Sequence, residues 1–270
     1  MSEEKEKKTY RGRLAPTPSG YLHSGHANTF RIAWERAQAN EGILVFRNDD
    51  LDPLRCKPEF TKAAMDDLKG IGLSWSEGPD CGGSSEPYDQ SRRGSSYLAV
   101  LYQLAQEGHV YPCRKSRKEI RESGKLSKSG EEYLFPEEFK PEKKSFLPSL
   151  CLTDVNWRFR VREGQTVSFL DQAKGMQEFK CGLDFSDFLV WRKDEVSSYE
   201  LASVVDDHAM DITEVVRGED LLLSSARQCL IFDAMGWRRP KFYHCRLLLD
   251  EKGHKLSKSE RSLPRIFSPA

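Results

Sequence analysis

The stretch Arg13-Leu14-Ala15-Pro16-Thr17-Pro18-Ser19-Gly20-Tyr21-Leu22-His23-Ser24-Gly25-His26 decides the fold. Residues 10–15 read as a short first strand ending at Leu14-Ala15. Two prolines then set the backbone and Gly20 releases it, so residues 16–20 form a turn. A helix is expected over 26–40, because Ala27, Phe30, Ala33, Trp34 and Ala37 fall on one stripe at helical spacing. Asn40-Glu41-Gly42 stops it. Ile43-Leu44-Val45-Phe46 is then a continuously apolar strand, the kind buried on both faces of a parallel sheet. Strand, helix and strand make a βαβ unit.

Working outward, helices are expected near 58–69 and 91–107, the second carrying Leu98, Leu101, Tyr102, Leu104 and Ala105. A Gly, Ser and Pro loop over 78–87 separates them. From 111 to about 150 the chain turns charged and weakly periodic, which marks the start of an insert with strands at 155–161 and 167–170. Core-like sequence resumes at Phe188-Leu189-Val190-Trp191. A helix follows near 224–235, ended by Gly236, and Arg246-Leu247-Leu248-Leu249 reads as a late strand. The expected architecture is α/β: a Rossmann-like parallel-sheet nucleotide-binding domain split by a smaller inserted subdomain. Residues 10–110 form its first half, 111–186 the insert, 187–260 the second half and 261–270 a short tail.

The 270 residues suit one large domain carrying an insert. Hydrophobic residues make 38% and charged residues 31%, and no apolar run approaches the roughly 20 residues of a membrane span. Residues 1–8 are charged and no apolar stretch follows, so no signal peptide is expected. The seven cysteines (56, 81, 113, 151, 181, 229 and 245) are widely spaced with no Cys-x-x-Cys, which reads as reduced thiols in a cytoplasm. Formal net charge is zero, so a nucleic-acid partner would need a local basic face. The densest candidate is 114–128, with seven Lys or Arg against Glu119 and Glu122; the alternative is a solvated helix face.

Two segments carry chemistry. His23 and His26, three apart at a helix start, share a face. Free N–H groups and a partial positive charge at that tip suit phosphate, and two imidazoles can donate hydrogen bonds to a triphosphate. Gly25, lacking a side chain, lets a flat base approach. Two surface histidines at a cap is the plain alternative; a zinc pair lacks a third ligand nearby. Near the other end stands Lys252-Gly253-His254-Lys255-Leu256-Ser257-Lys258-Ser259. Two lysines on such a loop can neutralise a departing pyrophosphate. Lys125-Leu126-Ser127-Lys128-Ser129 repeats the same five residues, but in a polar stretch with no strand to aim it, so the late copy is the catalytic candidate.

Together, His-Ser-Gly-His and Lys-Leu-Ser-Lys-Ser resemble the two signatures of class I aminoacyl-tRNA synthetases. Phe46-Arg47-Asn48-Asp49-Asp50-Leu51-Asp52-Pro53 and residues 198–220 resemble the glutamyl branch, and the likeness covers roughly residues 10–260. The run from Val205 to Asp220 and the few residues after the lysine loop resemble the glutamyl-queuosine tRNA(Asp) synthetase family. That resemblance implies a ligase without an anticodon-binding domain. It would activate glutamate with ATP and Mg2+, then pass it to queuosine at the wobble position of tRNA(Asp), in the cytoplasm and with no membrane. It implies glutamate contacts at Arg13, Ala15, Thr17, Asp49, Tyr199 and Arg217. ATP would lie between His23, Gly25 and His26 and the loop residues Lys255, Ser257 and Lys258, with His23, His26, Lys255 and Lys258 catalytic. The sequence departs from the pattern in three places. Asp49 stands where bacterial relatives usually have glutamate, and Ser203 where full glutamyl-tRNA synthetases have asparagine. The zinc-ligand positions of many queuosine-type members read Cys113, Lys115, Tyr133 and Glu137, so zinc is not expected. Alternatives are a catalytic fragment or variant of an ordinary glutamyl-tRNA synthetase and a non-catalytic tRNA-binding paralogue. A dinucleotide fingerprint at Gly70-Ile71-Gly72 fails because Trp75 occupies its third glycine.

Overall fold

The computed structural model describes residues 9–144 and 154–247. In chain order they form β1 (Arg11–Leu14), α1 (Ser24–Ala39), β2 (Ile43–Phe46), α2 (Pro58–Gly70), α3 (Gly94–Gln106), β3 (Val110–Cys113), α4 (Arg117–Ser123), β4 (Asn156–Phe159), β5 (Thr166–Asp171), β6 (Gly175–Lys180), β7 (Phe188–Trp191), α5 (Tyr199–Ala209), β8 (Glu214–Gly218), α6 (Leu222–Ala234) and β9 (Lys241–Cys245). Two compact units result. The first takes in the described parts of Met1–Arg92, Met210–Glu219 and Pro240–Ala270; the second takes in those of Arg93–Ala209 and Asp220–Arg239.

The first unit is parallel α/β, the class expected from the sequence. β1 pairs parallel with β2, Arg11 opposite Ile43 and Leu14 opposite Phe46, and β8 pairs parallel with β9, Glu214 opposite Lys241. Thr213 N–H donates to Arg11 O, which brings β8 beside β1. Leu14, Leu44, Phe46 and Val216 from these strands join Phe30, Ala33 and Ala37 of α1 and Ala64 and Leu68 of α2 in one core. The apolar stripe of α1 is what faces the strands. Two carboxylates fasten the margins. Glu214 accepts from Tyr10 Oη at 2.8 Å and from Arg36 Nε at 2.6 Å, while Arg36 covers the Tyr243 ring at 4.3 Å. Glu77 accepts from Arg11 Nη1 at 2.8 Å and from Tyr88 Oη at 2.7 Å. Gly42 is required where it stands, since a Cβ there would lie 2.6 Å from the Tyr10 carbonyl oxygen.

The second unit packs α5 against α3, α6 and β7. Its antiparallel sheet runs β3-β4-β7, and β5 and β6 form a hairpin with Val167 opposite Phe179. Two buried carboxylates hold it. Asp206 on α5 accepts from Arg93 Nε at 2.6 Å and Tyr97 Oη at 2.9 Å. Asp187 accepts from Tyr111 Oη at 2.6 Å and Val161 N at 2.9 Å, with Lys140 Nζ at 3.1 Å.

Several elements differ from the sequence reading. α1 begins at Ser24 rather than 26, for a reason given below. The late strand expected at 246–249 is instead β9 at Lys241–Cys245; Arg246 and Leu247 carry no strand, and Leu248 and Leu249 lie outside the described residues. The Leu-Leu-Leu run suggests a strand, but the ladder with β8 falls on the mixed sequence KFYHC. Strands β6 and β8 and helix α5 are additions that the sequence pattern does not predict. Among the described residues, no helix is long and apolar enough to cross a membrane.

Arg11 holds the Glu77 carboxyl below its ordinary value, helped by Tyr88 and Ser84 and opposed by burial. A depressed carboxyl adds stability that is complete above the unfolded-state pKa and is lost as pH falls through the folded-state value. Glu77→Gln should therefore melt below the parent at neutral pH, and the gap should close as pH drops below about 4.5. A gap that stays constant across an acid titration of the melting temperature would contradict this.

Candidate active site

The tip of α1 is built by two imidazoles bonding reciprocally. His23 is the N-cap in extended conformation, and its Nδ1 accepts from Gly25 N at 3.1 Å. His26 Nδ1 accepts from His23 N at 3.3 Å. This is a capping box with histidines in both roles, and it starts the helix at Ser24. The rings lie 3.8 Å apart between centroids, tilted by 36°. A nitrogen that accepts carries no proton, so each neutral ring bears its hydrogen on Nε2. Gly25 serves this arrangement directly, because a Cβ would stand 3.0 Å from His23 Cε1 and 3.1 Å from Nδ1. The glycine thus spares the imidazole, in addition to any room it leaves a ligand.

The proline turn that feeds this tip is tied to the chain after β2. Leu14 O accepts from Arg47 N at 2.8 Å, Pro16 O from Asp49 N at 3.1 Å, and Pro18 O from Lys57 N at 3.0 Å. The alternation is that of an extended strand whose prolines offer carbonyls while lacking donors. Pro16 and Pro18 are buried, Ala15 is half-buried and Thr17 exposed. Asp49 is buried, and Arg47 grips it with Nε at 2.7 Å and Nη2 at 3.3 Å. The sequence reading gives Asp49 a role and overlooks Arg47, although both stand in the same quoted stretch.

Arg13 and Arg217 are both buried. Arg13 Nη1 donates to Val216 O at 2.8 Å, which sets it against the β8 residue before Arg217. Arg217 Nε lies 3.4 Å from His244 Nε2, and its guanidinium stands 5.7 Å from the Phe242 ring centre. His244 is the register partner of Arg217 across the parallel ladder and is buried. It escapes the sequence reading; only the β8–β9 register could have exposed it. The first unit contains Arg13, Ala15, Thr17, His23, Gly25, His26, Asp49 and Arg217. Tyr199 belongs to the second unit, half-buried at the first turn of α5, and Ser203 is buried in the same helix. Lys255, Ser257 and Lys258 lie outside the described residues.

The early lysine copy is a hairpin. Leu134 N donates to Lys125 O and Ser127 N to Glu132 O, with Leu126 opposite Tyr133 and Gly130 at φ 77°. The zinc-ligand positions do not fit that ion. Lys115 Nζ sits 3.0 Å from Glu119 Oε1 and 4.4 Å over the Phe139 ring, and Glu137 pairs with Lys140 at 2.6 Å. One buried thiol, Cys113, remains. No group of three or more His, Cys, Asp or Glu poised for a metal occurs among the described residues.

Residues 9–266 match the family described as tRNA synthetases class I (E and Q), catalytic domain. The chain belongs to that family. It is thus a synthetase-type ligase. It is 40% identical over 263 residues to the Glutamyl-Q tRNA(Asp) synthetase of Nitratidesulfovibrio vulgaris, covering 94% of this chain and 79% of that one. The Glutamyl-Q tRNA(Asp) synthetase of Symbiobacterium thermophilum is also 40% identical, over 258 residues, covering 92% and 77%. Among solved structures, a glutamate tRNA ligase from Elizabethkingia meningosepticum in complex with its amino acid aligns with a TM-score of 0.79 at 29% identity. That alignment takes 96% of this chain but 54% of the ligase, so the synthetase described here spans about half the ligase's length.

The cap that His23 provides can be tested apart from the catalytic role expected of its ring. His23→Ala should cost about 0.5–2 kcal/mol of stability through loss of the cap, whereas His23→Asn keeps a capping acceptor and should melt close to the parent. Both should lose adenylate formation. An Asn variant that recovers the stability and the activity together would mean the ring acts only as a cap.

Proposed function

We propose that this protein activates glutamate with ATP and transfers it to queuosine at the wobble position of tRNA(Asp), in the cytoplasm. The reading rests most on the reciprocal imidazole pair at the tip of α1, where each Nδ1 accepts from the backbone; a helix N-terminus carrying two imidazoles would suit triphosphate oxygens. The loop residues Lys255, Ser257 and Lys258 would close on the same phosphates, with Mg2+ entering alongside the nucleotide. Arg13 and Arg217 would each clamp one carboxylate of glutamate. Asp49, oriented by Arg47, would take the ammonium, Ala15 and Thr17 would line the pocket through their backbone, and Tyr199 would supply a hydroxyl or ring wall.

The reaction has two steps. A glutamate carboxylate oxygen attacks the α-phosphorus as the bond to pyrophosphate breaks, giving glutamyl-adenylate. A hydroxyl of the queuosine ring then attacks the activated carbonyl and AMP departs. The enzyme's part is alignment and charge stabilisation, because phosphoryl transfer asks little covalent chemistry of a protein. Two relatives at 40% identity bear the Glutamyl-Q name, which favours queuosine as the acceptor. A second reading, a variant of glutamate–tRNA ligase charging the tRNA 3′ end, draws on the likeness to the Elizabethkingia enzyme.

Pyrophosphate exchange tested across amino acids should depend on glutamate and proceed without tRNA. Labelled glutamate should then join queuosine-bearing tRNA(Asp) and leave unmodified tRNA(Asp) unlabelled; equal labelling of both would favour the second reading, and no exchange with any amino acid would remove both. Lys258→Ala should slow exchange by roughly a hundred-fold or more while glutamate affinity by calorimetry holds. Equal loss of binding and exchange would make the lysine loop structural.

A further inference from the structure

The arginines of this chain are held in two ways. Arg11 meets Glu77, Arg36 meets Glu214, Arg47 meets Asp49 and Arg93 meets Asp206, each at a carboxylate. The two arginines assigned to glutamate make bonds of another kind. Arg13 Nη1 donates to the Val216 carbonyl at 2.8 Å, and Arg217 Nε donates to His244 Nε2 at 3.4 Å. A carboxylate that accepts from a guanidinium fixes it and offsets its charge together. A carbonyl or a neutral imidazole fixes the donor and offsets no charge.

The register of the parallel ladder builds the second of these bonds. Val215 lies opposite Phe242, and Arg217 opposite His244. Residues two apart on a strand share a face, so Phe242 and His244 stand on one side of β9. Their rings lie 6.1 Å apart between centroids, tilted by 23°, and the Arg217 guanidinium stands 5.7 Å from the Phe242 centre. It thus meets an aromatic ring within cation–π range and the acceptor edge of an imidazole. Arg217 is 5% exposed, and Phe242 and His244 are each 1% exposed. At that depth a donor stripped of its acceptor is costly, so the bond constrains the side chain. Nε2 accepts and therefore carries no proton, which makes the ring neutral with its hydrogen on Nδ1.

We infer that His244 is a positioning residue for glutamate. By accepting from Nε it fixes the rotation of the Arg217 guanidinium, so that the Nη edge meets a substrate carboxylate in one orientation, with no charge cancelled by the imidazole. This rests on the proposed part of Arg217 as a carboxylate clamp and says what makes that clamp rigid. A long side chain that must be ordered at each binding event loses rotamer freedom every time. One ordered in advance by a neighbour loses less, and the gain appears as substrate affinity.

The test follows pyrophosphate exchange by the full chain, with glutamate and ATP varied separately. His244→Phe keeps a ring beside Phe242 and removes the acceptor. Its KM for glutamate should rise roughly ten-fold or more, the scale of a hydrogen bond to a charged group, while the KM for ATP holds. kcat should change less than KM, because a clamp grips glutamate alike before and during reaction. His244→Gln offers an amide oxygen at similar reach and should recover most of the affinity. Arg217→Lys alone should also raise the KM for glutamate, and His244→Phe added to it should cost little more, since the imidazole acts through the guanidinium. A parental KM for glutamate in His244→Phe, a parallel rise in both KM values, or a Gln variant no better than Phe would each overturn the proposal. Nitrogen NMR of the unaltered chain with labelled histidine needs no active variant: His244 should be the Nδ1–H tautomer, and an Nε2–H tautomer would overturn the proposal as well. If Arg217→Lys keeps the parental affinity for glutamate, the clamp itself is struck. If Arg217→Lys loses affinity and His244→Phe does not, the clamp stands and only the part of His244 falls.

Discussion

Two hydrogen bonds between neighbouring imidazoles and the backbone of one helix turn are the constraint on which the tip of α1 depends. An ordinary capping box consumes a hydroxyl and a carboxylate, leaving the helix tip neutral or negative. Here the same two bonds are made by Nδ1 of His23 and Nδ1 of His26. The N–H groups of His23 and Gly25 are satisfied, and no negative charge is placed at the positive end of the helix by these two bonds. A side benefit is rigidity, since each ring is held through the nitrogen that faces inward and cannot rotate without breaking the cap. Gly25 follows from this arrangement, because any larger residue would press on the His23 ring.

Both units bury carboxylates and surround each with donors from distant parts of the chain. Glu214 joins Tyr10 and Arg36, Glu77 joins Arg11 and Tyr88, Asp206 joins Arg93 and Tyr97, and Asp187 joins Tyr111 and Lys140. Burial alone pushes Asp187 up from the usual carboxylate range even against these donors. Such groups are poor sources of net stability, since desolvation offsets most of the attraction, yet removing one partner costs about 3–5 kcal/mol. Their effect is therefore on uniqueness. Each forbids packings in which the loop supplying the donor sits elsewhere, and that matters for the proposed glutamate pocket, whose residues 13, 49 and 217 come from separate segments of the chain.

Legibility in the sequence followed the physics of each element. β1, α1 and β2 were readable because a stripe of period 3.6 meets an apolar run with turn residues between them. α5 was not, because it is buried nearly all round: Leu201 to Asp207 are buried in succession, three of them polar, which leaves no stripe to detect. β6 lacked a signal for the opposite reason, since no residue of Gly175–Lys180 is buried. The start of α1 slipped by two residues because histidines are not the usual capping pair. The candidate residues were legible by type and spacing, and their partners were not. Arg47 and His244 gain meaning from pairings set by the three-dimensional register, across β2's continuation and across β8–β9.

The repeated pentapeptide shows how far local sequence goes. In the early copy, Ser127 N is committed to Glu132 O, Lys128 N to Leu183 O, and Gly130 adopts a left-handed turn. A segment pinned by its backbone on both sides cannot swing with a departing group; it can only present fixed charges. Mobility during phosphoryl transfer would demand the reverse, lysines on backbone with few such ties. The early copy therefore owes its fixed position to the main-chain hydrogen bonds that its flanking residues make, and not to the five residues themselves. Glu132 illustrates this: its carbonyl holds Ser127 while its carboxylate is gripped by Arg227 of α6, fixing the hairpin to the unit's interior.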